Sequence, residues 1–225
     1  TFMEDMFFSF VILSYNSERY LAQCLGSIND SIKSLDVRAE VFVVDNGSID
    51  DSCKIMESIE FDASITFKII KFDHNTGTTF SRNTALKLAS GRFLIILDSD
   101  AYVNDQVLRR LSDYLIENQD CGLVVPKLIY PDGRYQLSVD QFPTLIHKIR
   151  RFLFLKKMEL AVPISTVTPA PYAISAFWMF PRVILDKVGL LDEKIFYSPE
   201  DVDYCIRIWK AGFKIVYIPD VYAVH

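Results

Sequence analysis

Short apolar runs alternate with helix-patterned segments through the first half of the chain. Each run is rich in branched side chains, which is typical of strands buried on both faces of a sheet. Strand–helix alternation through four units predicts a mostly parallel sheet with right-handed crossovers. The predicted strands are residues 8–13, 41–44, 65–72 and 93–97, and the first helix has its apolar positions at Leu21, Cys24, Leu25, Ile28 and Ile32.

The second half is less regular and adds an antiparallel portion to the predicted sheet. The turn signal Pro131-Asp132-Gly133 predicts a hairpin, and residues 176–180 read as a further strand. We expect Asn16 or Ser17 to cap the first helix and Ser198 to cap a late one. For the second helix we expect a capping box formed by Ser48 and Asp51. No internal repeat or linker divides the chain, so residues 1–225 are predicted to form one domain.

Composition narrows the class of protein. Half of the 225 residues are hydrophobic and the formal net charge is −5, so the chain has a sizeable core and lacks the footprint of a nucleic-acid-binding protein. The four cysteines are scattered without metal-ligand spacing, which favours a reduced, intracellular, cytoplasmic protein. No signal peptide and no membrane-spanning run is evident. Because the chain stops at His225 directly after a strand-like run, we expect C-terminal parts to be missing.

Polar side chains follow three of the predicted strands. They are Ser14-Tyr15-Asn16, Asp45-Asn46-Gly47 and Asp98-Ser99-Asp100. Parallel strands end at one sheet edge, where ligands bind in open α/β sheets. Two acids as close as Asp98 and Asp100 repel unless a cation or donors lie between them, and carboxylates suit Mg²⁺ or Mn²⁺. A metal–diphosphate site is predicted, with a solvated acidic turn as the alternative.

The order of these motifs resembles family 2 glycosyltransferases of the GT-A fold, with rhamnosyltransferase-like bacterial members most similar. The resemblance runs from about Phe8 to His225. Its motifs are residues 11–16, residues 43–48, Asn75-Thr76-Gly77 with Arg82-Asn83, residues 97–100 and Glu200-Asp201-Val202-Asp203. The family implies inverting transfer of a sugar from a nucleotide-diphosphate donor to a hydroxyl acceptor, with Mn²⁺ or Mg²⁺, in bacterial cell-surface polysaccharide synthesis. It also implies a nucleotide-binding half over about residues 1–103 and an acceptor-binding half over about 104–225.

The resemblance also assigns expected roles to single residues. Asp201 is the expected catalytic base, and Asp100 and His225 are the expected metal ligands. On the acceptor side, Trp178 and Glu200 are weaker candidates. The expected nucleotide-sugar contacts, for a UDP- or dTDP-sugar, are Ser14, Tyr15, Asn16, Asp45, Asn75, Arg82 and Asp98.

The residue types suit these roles, and each has a structural alternative. Asp45 can accept the imide N–H of uracil or thymine, or it forms an Asx turn with Gly47. Arg82 pairs with Asp45 or a base carbonyl, or is a surface cation. Asp201 accepts a proton, or it stabilises the start of a helix. Trp178 stacks on an acceptor sugar, or it is a core residue.

Two other functions remain open on the sequence alone. Leu97-Asp98-Ser99-Asp100 fits the motif of haloacid-dehalogenase-like phosphatases with Asp98 as nucleophile, although that motif normally follows the first strand. The other is a non-catalytic nucleotide-sugar-binding module. The run Ser175-Ala176-Phe177-Trp178 departs from the small, Gly-containing run usual in the family, which puts the acceptor pocket in doubt.

Residues 142–160 are basic and apolar together, in a chain that is otherwise acidic. This composition fits a segment that lies on an anionic membrane surface, and relatives often glycosylate lipid-linked acceptors. We therefore expect a cytoplasmic protein in which this segment contacts the inner face of the cytoplasmic membrane. The alternative is that the segment forms a solvated lid.

Overall fold

The computed structural model describes residues 6–142 and 164–225. Residues 143–160 of the basic, apolar segment therefore lie outside the described residues. The described helices are α1 (Leu21–Leu35), α2 (Ser52–Ser58), α3 (Thr78–Leu86), α4 (Asp105–Glu117), α5 (Arg182–Val188) and α6 (Glu200–Lys210). The described strands are β1 (Phe8–Ser14), β2 (Ala39–Asn46), β3 (Ile65–Phe72), β4 (Phe93–Asp98), β5 (Cys121–Ile129), β6 (Tyr135–Gln136), β7 (Val139–Asp140), β8 (Thr168–Pro169), β9 (Tyr172–Ala173), β10 (Phe177–Pro181) and β11 (Lys214–Val224).

One large sheet organises the molecule, with strand order β3-β2-β1-β4-β10-β5-β11-β8. The first four of these strands are parallel to one another, as the alternating pattern predicts. The direction reverses at β10, which lies antiparallel between β4 and β5, and β11 runs parallel to β5. The strand order turns back at β1 and β4, so a crevice opens beyond their carboxyl ends. The predicted mixed α/β fold with an added antiparallel portion is confirmed.

Two apolar layers cover the two faces of this sheet. Alternate strand residues pack against α1, α2 and α4 on one face. The other face packs against α3, α5 and α6. Because both faces are buried, the central strands need continuous apolar runs, and every residue of β4 from Phe93 to Leu97 is buried.

Several predicted helix starts differ in detail. α1 begins after Tyr20, and the backbone carbonyl of Ser17 accepts the Tyr20 and Leu21 N–H groups. The predicted capping box is wrong, because no side chain caps α2. The Ser48 hydroxyl instead accepts a hydrogen bond from the Asn16 N–H. Ser198 has no capping hydrogen bond either, since α6 begins one residue later than Pro199. The predicted hairpin is confirmed as the antiparallel pair of β5 and β6.

The chain ends beside the acidic turn that follows β4. Tyr102 and Val224 form an antiparallel bridge with backbone hydrogen bonds of 2.8 and 3.1 Å. The His225 N–H donates to the Ile129 carbonyl at 2.9 Å. Residues more than a hundred positions apart in sequence therefore share one corner of the fold. Within the described ranges, no helix is both long and apolar enough to cross a bilayer.

Candidate active site

A cleft of about 420 Å³ opens at the carboxyl ends of β1 and β4, at the predicted sheet edge. This volume is within the usual range for small-molecule sites. The cleft is lined by Leu13, Tyr15, Asn16, Ser17, Tyr20, Thr78, Arg82, Asp98, Ser99, Asp100, Ile174, Ser175, Ala176, Tyr197, Ser198, Glu200, Asp201 and His225. The structure thus brings most of the sequence-predicted site residues into one cavity.

Asp98, Asp100 and His225 form a compact cluster at one side of the cleft. One ligand atom from each residue can be chosen so that all lie within 4.8 Å of one another. His225 Nε2 lies 3.4 Å from Asp100 Oδ1 and 3.6 Å from Asp98 Oδ2. The imidazole is held from behind, because its Nδ1 is 3.0 Å from the side-chain oxygen of Gln136. Two carboxylates and an imidazole are a suitable ligand set for Mn²⁺.

The charges of this cluster are strongly coupled. Burial lowers the pKa of His225, but contacts with the Asp100 and Asp98 carboxylates outweigh it and raise the pKa to about 9. The His225 contact lowers the pKa of Asp100, against an opposing effect of burial. The imidazolium therefore stabilises the two carboxylates electrostatically, and a divalent cation at the same place would replace its positive charge.

Arg82 lies behind the cluster and is almost completely buried. Its guanidinium donates to Asp98 Oδ1 at 2.7 Å, to Ser175 Oγ at 2.9 Å and to Glu200 Oε1 at 3.4 Å. Ser175 Oγ also donates to Glu200 at 3.2 Å. Asp98 consequently directs one oxygen to Arg82 and the other toward His225. Since the guanidinium is committed to these partners, its placement does not support the predicted contact with a base.

Glu200 and Asp201 begin α6 but have different surroundings. Glu200 is buried against Arg82 and Ser175, so it is not a free acceptor-side carboxylate. Asp201 lines the cleft and accepts a hydrogen bond from the Val202 N–H at 2.8 Å. Burial, followed by the neighbouring charge of Glu200, raises the pKa of Asp201. Asp201 is therefore a partly desolvated carboxylate that faces the cavity, which suits a proton acceptor.

The remaining predicted donor residues lie at or just after the ends of β1, β2 and β3, and Ser14 and Asp45 are not part of the cleft lining. Asp45 is buried, with Oδ2 accepting from the Ser48 N–H at 3.3 Å and from Cys53 Sγ at 3.3 Å. Asp45 Oδ1 and Ser14 Oγ have no hydrogen-bond partner within the described part of the chain. Asn16 and Tyr15 are exposed in the cleft. Asn75 lies outside the cleft lining, where its side-chain oxygen accepts from Asn46 and from the Gly77 N–H.

Trp178 does not lie on the acceptor side. Its ring is fully buried, stacks on Tyr204 with centroids 5.8 Å apart, and donates Nε1–H to the Ala173 carbonyl. The core alternative is therefore correct, because β10 directs this side chain into the layer beneath α6. Sequence reasoning missed Ser175 and Tyr197 as cleft residues. Neither position belongs to a periodic pattern that would have indicated it.

The fold and the acid-rich cleft define the GT-A class of glycosyltransferases. TarS 1-349 from S. aureus has a similar solved structure, with a TM-score of 0.71 at 23% identity over 97% of this chain and 60% of that one. GalNAc-T7, solved with UDP, GalNAc and Mn²⁺, gives a TM-score of 0.72 at 17% identity over 99% and 44% of the two chains. The chain belongs to the family "Glycosyl transferase family 2", whose model matches residues 9–189. The resemblance inferred from the motifs is confirmed, and membership decides against the phosphatase alternative.

The chain is also similar to curated bacterial glycosyltransferases. An "Uncharacterized glycosyltransferase YfnE" of Bacillus subtilis is 37% identical over 96% of this chain and 64% of that protein. TarS of Staphylococcus aureus, a "Poly(ribitol-phosphate) beta-N-acetylglucosaminyltransferase", is 32% identical over 53% of this chain and 21% of that protein. The "dTDP-rhamnosyl transferase RfbF" of Shigella flexneri is 23% identical over 96% and 67%. The chain spans 64% or less of the length of TarS and YfnE.

Proposed function

We propose that this chain is the catalytic domain of an inverting, metal-dependent glycosyltransferase. It moves a sugar from a nucleotide-diphosphate donor to a hydroxyl of an acceptor in bacterial cell-surface polysaccharide synthesis. The observation that carries the proposal is the convergence of two different groups in one cleft. One is the Asp98–Asp100–His225 cluster and the other is Asp201, whose raised pKa suits proton transfer.

Asp100, His225 and Asp98 would hold the metal, and their chemistry fits that role. The imidazole favours Mn²⁺ over Mg²⁺, which prefers an all-oxygen environment. When bound, the cation would stabilise the negative charge that the diphosphate gains as the glycosidic bond breaks. Arg82 fixes the Asp98 carboxylate from the opposite side, so that Asp98 Oδ2 remains directed at the cluster.

Asp201 is the general base of the proposed reaction. Its carboxylate accepts the proton of the acceptor hydroxyl as that oxygen bonds to the anomeric carbon. The bond between the anomeric carbon and the diphosphate oxygen breaks in the same displacement, so the configuration inverts. Burial of Asp201 raises its basicity, which makes this carboxylate a better base than one in water.

The donor base is assigned to the end of β2, next to β1, although Asp45 is buried there and is not part of the cleft lining. Asp45 presents one buried carboxylate oxygen with no partner among the described residues, and a uracil or thymine imide N–H satisfies it. Ser48 joins the two loops there, since its hydroxyl accepts the Asn16 N–H at 2.9 Å and its own N–H contacts Asp45. This assignment rests on an unsatisfied acceptor, and it favours UDP or dTDP over adenine nucleotides.

Calorimetry with UDP and dTDP, with and without Mn²⁺, tests the metal and donor assignment. We expect Mn²⁺ to strengthen nucleotide binding to the wild-type chain, and Asp100→Asn to reduce that gain by roughly tenfold or more because a charged ligand is lost. Asp113→Asn is the matched control, since Asp113 is exposed on α4 away from the cleft. Equal Mn²⁺-dependent affinities for Asp100→Asn and the wild type would contradict the metal assignment.

A screen of nucleotide-sugar hydrolysis in the presence of Mn²⁺ then identifies the donor sugar. Asp45→Asn tests recognition of the nucleobase, because it replaces one acceptor oxygen of the carboxylate with an NH₂ donor. We expect it to weaken UDP or dTDP binding while leaving Mn²⁺ binding intact. Absence of hydrolysis with every donor, together with absent nucleotide binding, would reject the glycosyltransferase proposal.

A further inference from the structure

Tyr197 is the most exposed aromatic side chain in the cleft lining, with 74% of its surface accessible. Two other tyrosines, Tyr15 and Tyr20, also line the cleft, at 50% and 41% exposure. Tyrosine is enriched at binding surfaces, because its ring offers a large apolar face and its hydroxyl can remain hydrated. A ring at the rim offers an apolar face beside the polar groups of the cleft.

The backbone that carries Tyr197 is firmly attached to α3. The Thr78 N–H donates to the Phe196 carbonyl at 2.7 Å, and Thr79 Oγ1 donates to the Ile195 carbonyl at 2.6 Å. Gly77 permits this contact, since a Cβ at that position would lie 2.7 Å from the Phe196 carbonyl oxygen. The Tyr197 ring is therefore presented from a fixed backbone, which lowers the entropic cost of binding a ligand against it.

The position of Tyr197 in the fold indicates which substrate it meets. It precedes Asp201 by four residues on the same segment, and both side chains line the cleft. A general base must face the acceptor hydroxyl, so this segment belongs to the acceptor side. Tyr15 and Tyr20 instead lie on the connection from β1 to α1, among the proposed donor contacts.

The charges near Tyr197 favour a neutral acceptor unit. Glu200 and Asp201 follow Tyr197 by three and four residues, and both line the cleft. The cationic residues of the described cleft lining are Arg82 and His225, and each is already engaged by carboxylates. A phosphate placed beside Asp201 would therefore depend on the cation proposed for the Asp98–Asp100–His225 cluster, which the diphosphate of the donor would already engage.

We propose that Tyr197 is the stacking platform for a neutral, cyclic sugar unit of the acceptor. The C–H face of a pyranose ring packs on the phenol ring, while its hydroxyls face the polar cleft and one of them reaches Asp201. This subsite rests on the proposed function and specifies the chemical class of its acceptor. It excludes an acyclic polyol phosphate as the unit held at this position.

Saturation-transfer NMR on the chain with UDP and Mg²⁺ tests the subsite. The probes are methyl glycopyranosides of neutral hexoses, with ribitol 5-phosphate as the acyclic, anionic comparison. We expect wild-type protein to saturate the ring C–H protons of the glycosides, and Tyr197→Ala to weaken their binding by roughly twofold to tenfold. Tyr197→Phe and Tyr197→Trp should retain binding. Tyr222→Ala, which removes an exposed tyrosine outside the cleft lining, should leave it unchanged.

The outcomes separate this subsite from the proposed function. If UDP binds but glycoside binding is absent, or is equal in the wild type and Tyr197→Ala, the stacking role is rejected and the glycosyltransferase proposal stands. Tighter binding of ribitol 5-phosphate than of any glycoside would also reject it. If the wild-type chain binds no nucleotide in the accompanying calorimetry, the proposed function fails, and the subsite proposal fails with it.

Discussion

Partial desolvation makes a carboxylate a stronger base and also destabilises its ionised form, and both effects apply to Asp201. Its buried position makes the ionised form costly while making it a stronger proton acceptor. Asp203, two residues along the same helix, instead forms an ordinary ion pair with Arg207 at 2.9 Å. Asp201 and Asp203 thus have different surroundings, because Asp201 lines the cleft and Asp203 does not.

Asp201→Asn is expected to abolish sugar transfer while leaving UDP binding intact. The change removes the proton acceptor but keeps nearly the same shape, so the rate should fall by about 10²- to 10⁴-fold. The variant should also be more stable in urea at neutral pH, by a gain of order 1 kcal/mol, because a desolvated charge is removed. Asp203→Asn is the control, with near wild-type transfer. Transfer by Asp201→Asn at the wild-type rate would show that Asp201 only stabilises the helix start.

The pH dependence follows from the same raised pKa. In the proposed reaction Asp201 must be ionised, so the rate should be lost as pH falls through its folded-state pKa, which lies above the ordinary value of 3.8. Stability has the opposite pH dependence from the transfer rate. Between the unfolded and folded pKa values the native state binds more protons, so the free energy of unfolding decreases as pH rises through that window. Measuring both quantities in the wild type and Asp201→Asn checks this, since the variant should lack this contribution to the stability profile.

Helix α3 connects the two sides of the cleft. Arg82 reaches Asp98 and Glu200, and the next residue, Asn83, pairs with both the N–H and the carbonyl of Leu191 at 3.0 and 2.9 Å. Asn83 also donates to Glu193 at 3.0 Å. The segment that leads to Asp201 is therefore positioned by α3 through side-chain hydrogen bonds as well as by packing.

Asn83→Ala is expected to lower kcat for transfer more than it changes the KM for donor. The fully buried amide holds the segment that leads to Asp201, whereas the proposed donor contacts of Asp45 and Asp98 lie on β2 and β4. Loss of the paired hydrogen bonds should also cost about 1–3 kcal/mol of stability. Steady-state kinetics and urea unfolding measure the two effects, with Thr84→Ala on the exposed side of α3 as control. Unchanged kcat in a destabilised Asn83→Ala variant would limit Asn83 to a structural role.

Local patterns predicted the parallel half of the fold because each buried strand needs its own apolar run. They also located Asp98 and Asp100, since a strand end fixes where its following residues lie. The proximity of His225 depends on the pairing of β11 with β5 and on the Tyr102–Val224 bridge, which no local pattern contains. The burial of Arg82 and Trp178 was not predicted by local patterns for a similar reason. Their partners, Glu200 and Tyr204, come from α6, far away in sequence.

Positive charge is concentrated in residues 142–160, whereas the rest of the chain is acidic. Residues 142–160 contain five Lys or Arg residues and one glutamate, a formal charge of +4, so the rest of the chain carries −9 within the total of −5. An acidic body would be repelled by anionic lipid unless a basic segment meets the surface. Bulky apolar residues interleave with these cations, which is the composition of peripheral membrane segments.

We therefore expect the chain to sediment with anionic liposomes at low ionic strength. Each cation near the surface contributes about 1 kcal/mol, and salt screens this attraction within a Debye length of roughly 10 Å at 0.1 M. Changing Lys148, Arg150, Arg151, Lys156 and Lys157 together to glutamine should abolish most of the binding. Changing five exposed cations elsewhere, Lys54, Lys71, Lys87, Lys210 and Lys214, lowers the net charge equally and serves as the control. Because both variants have the same total charge, stronger loss in the first would assign the contact to residues 142–160. Equal loss in both, or equal sedimentation with neutral vesicles, would instead favour a solvated lid.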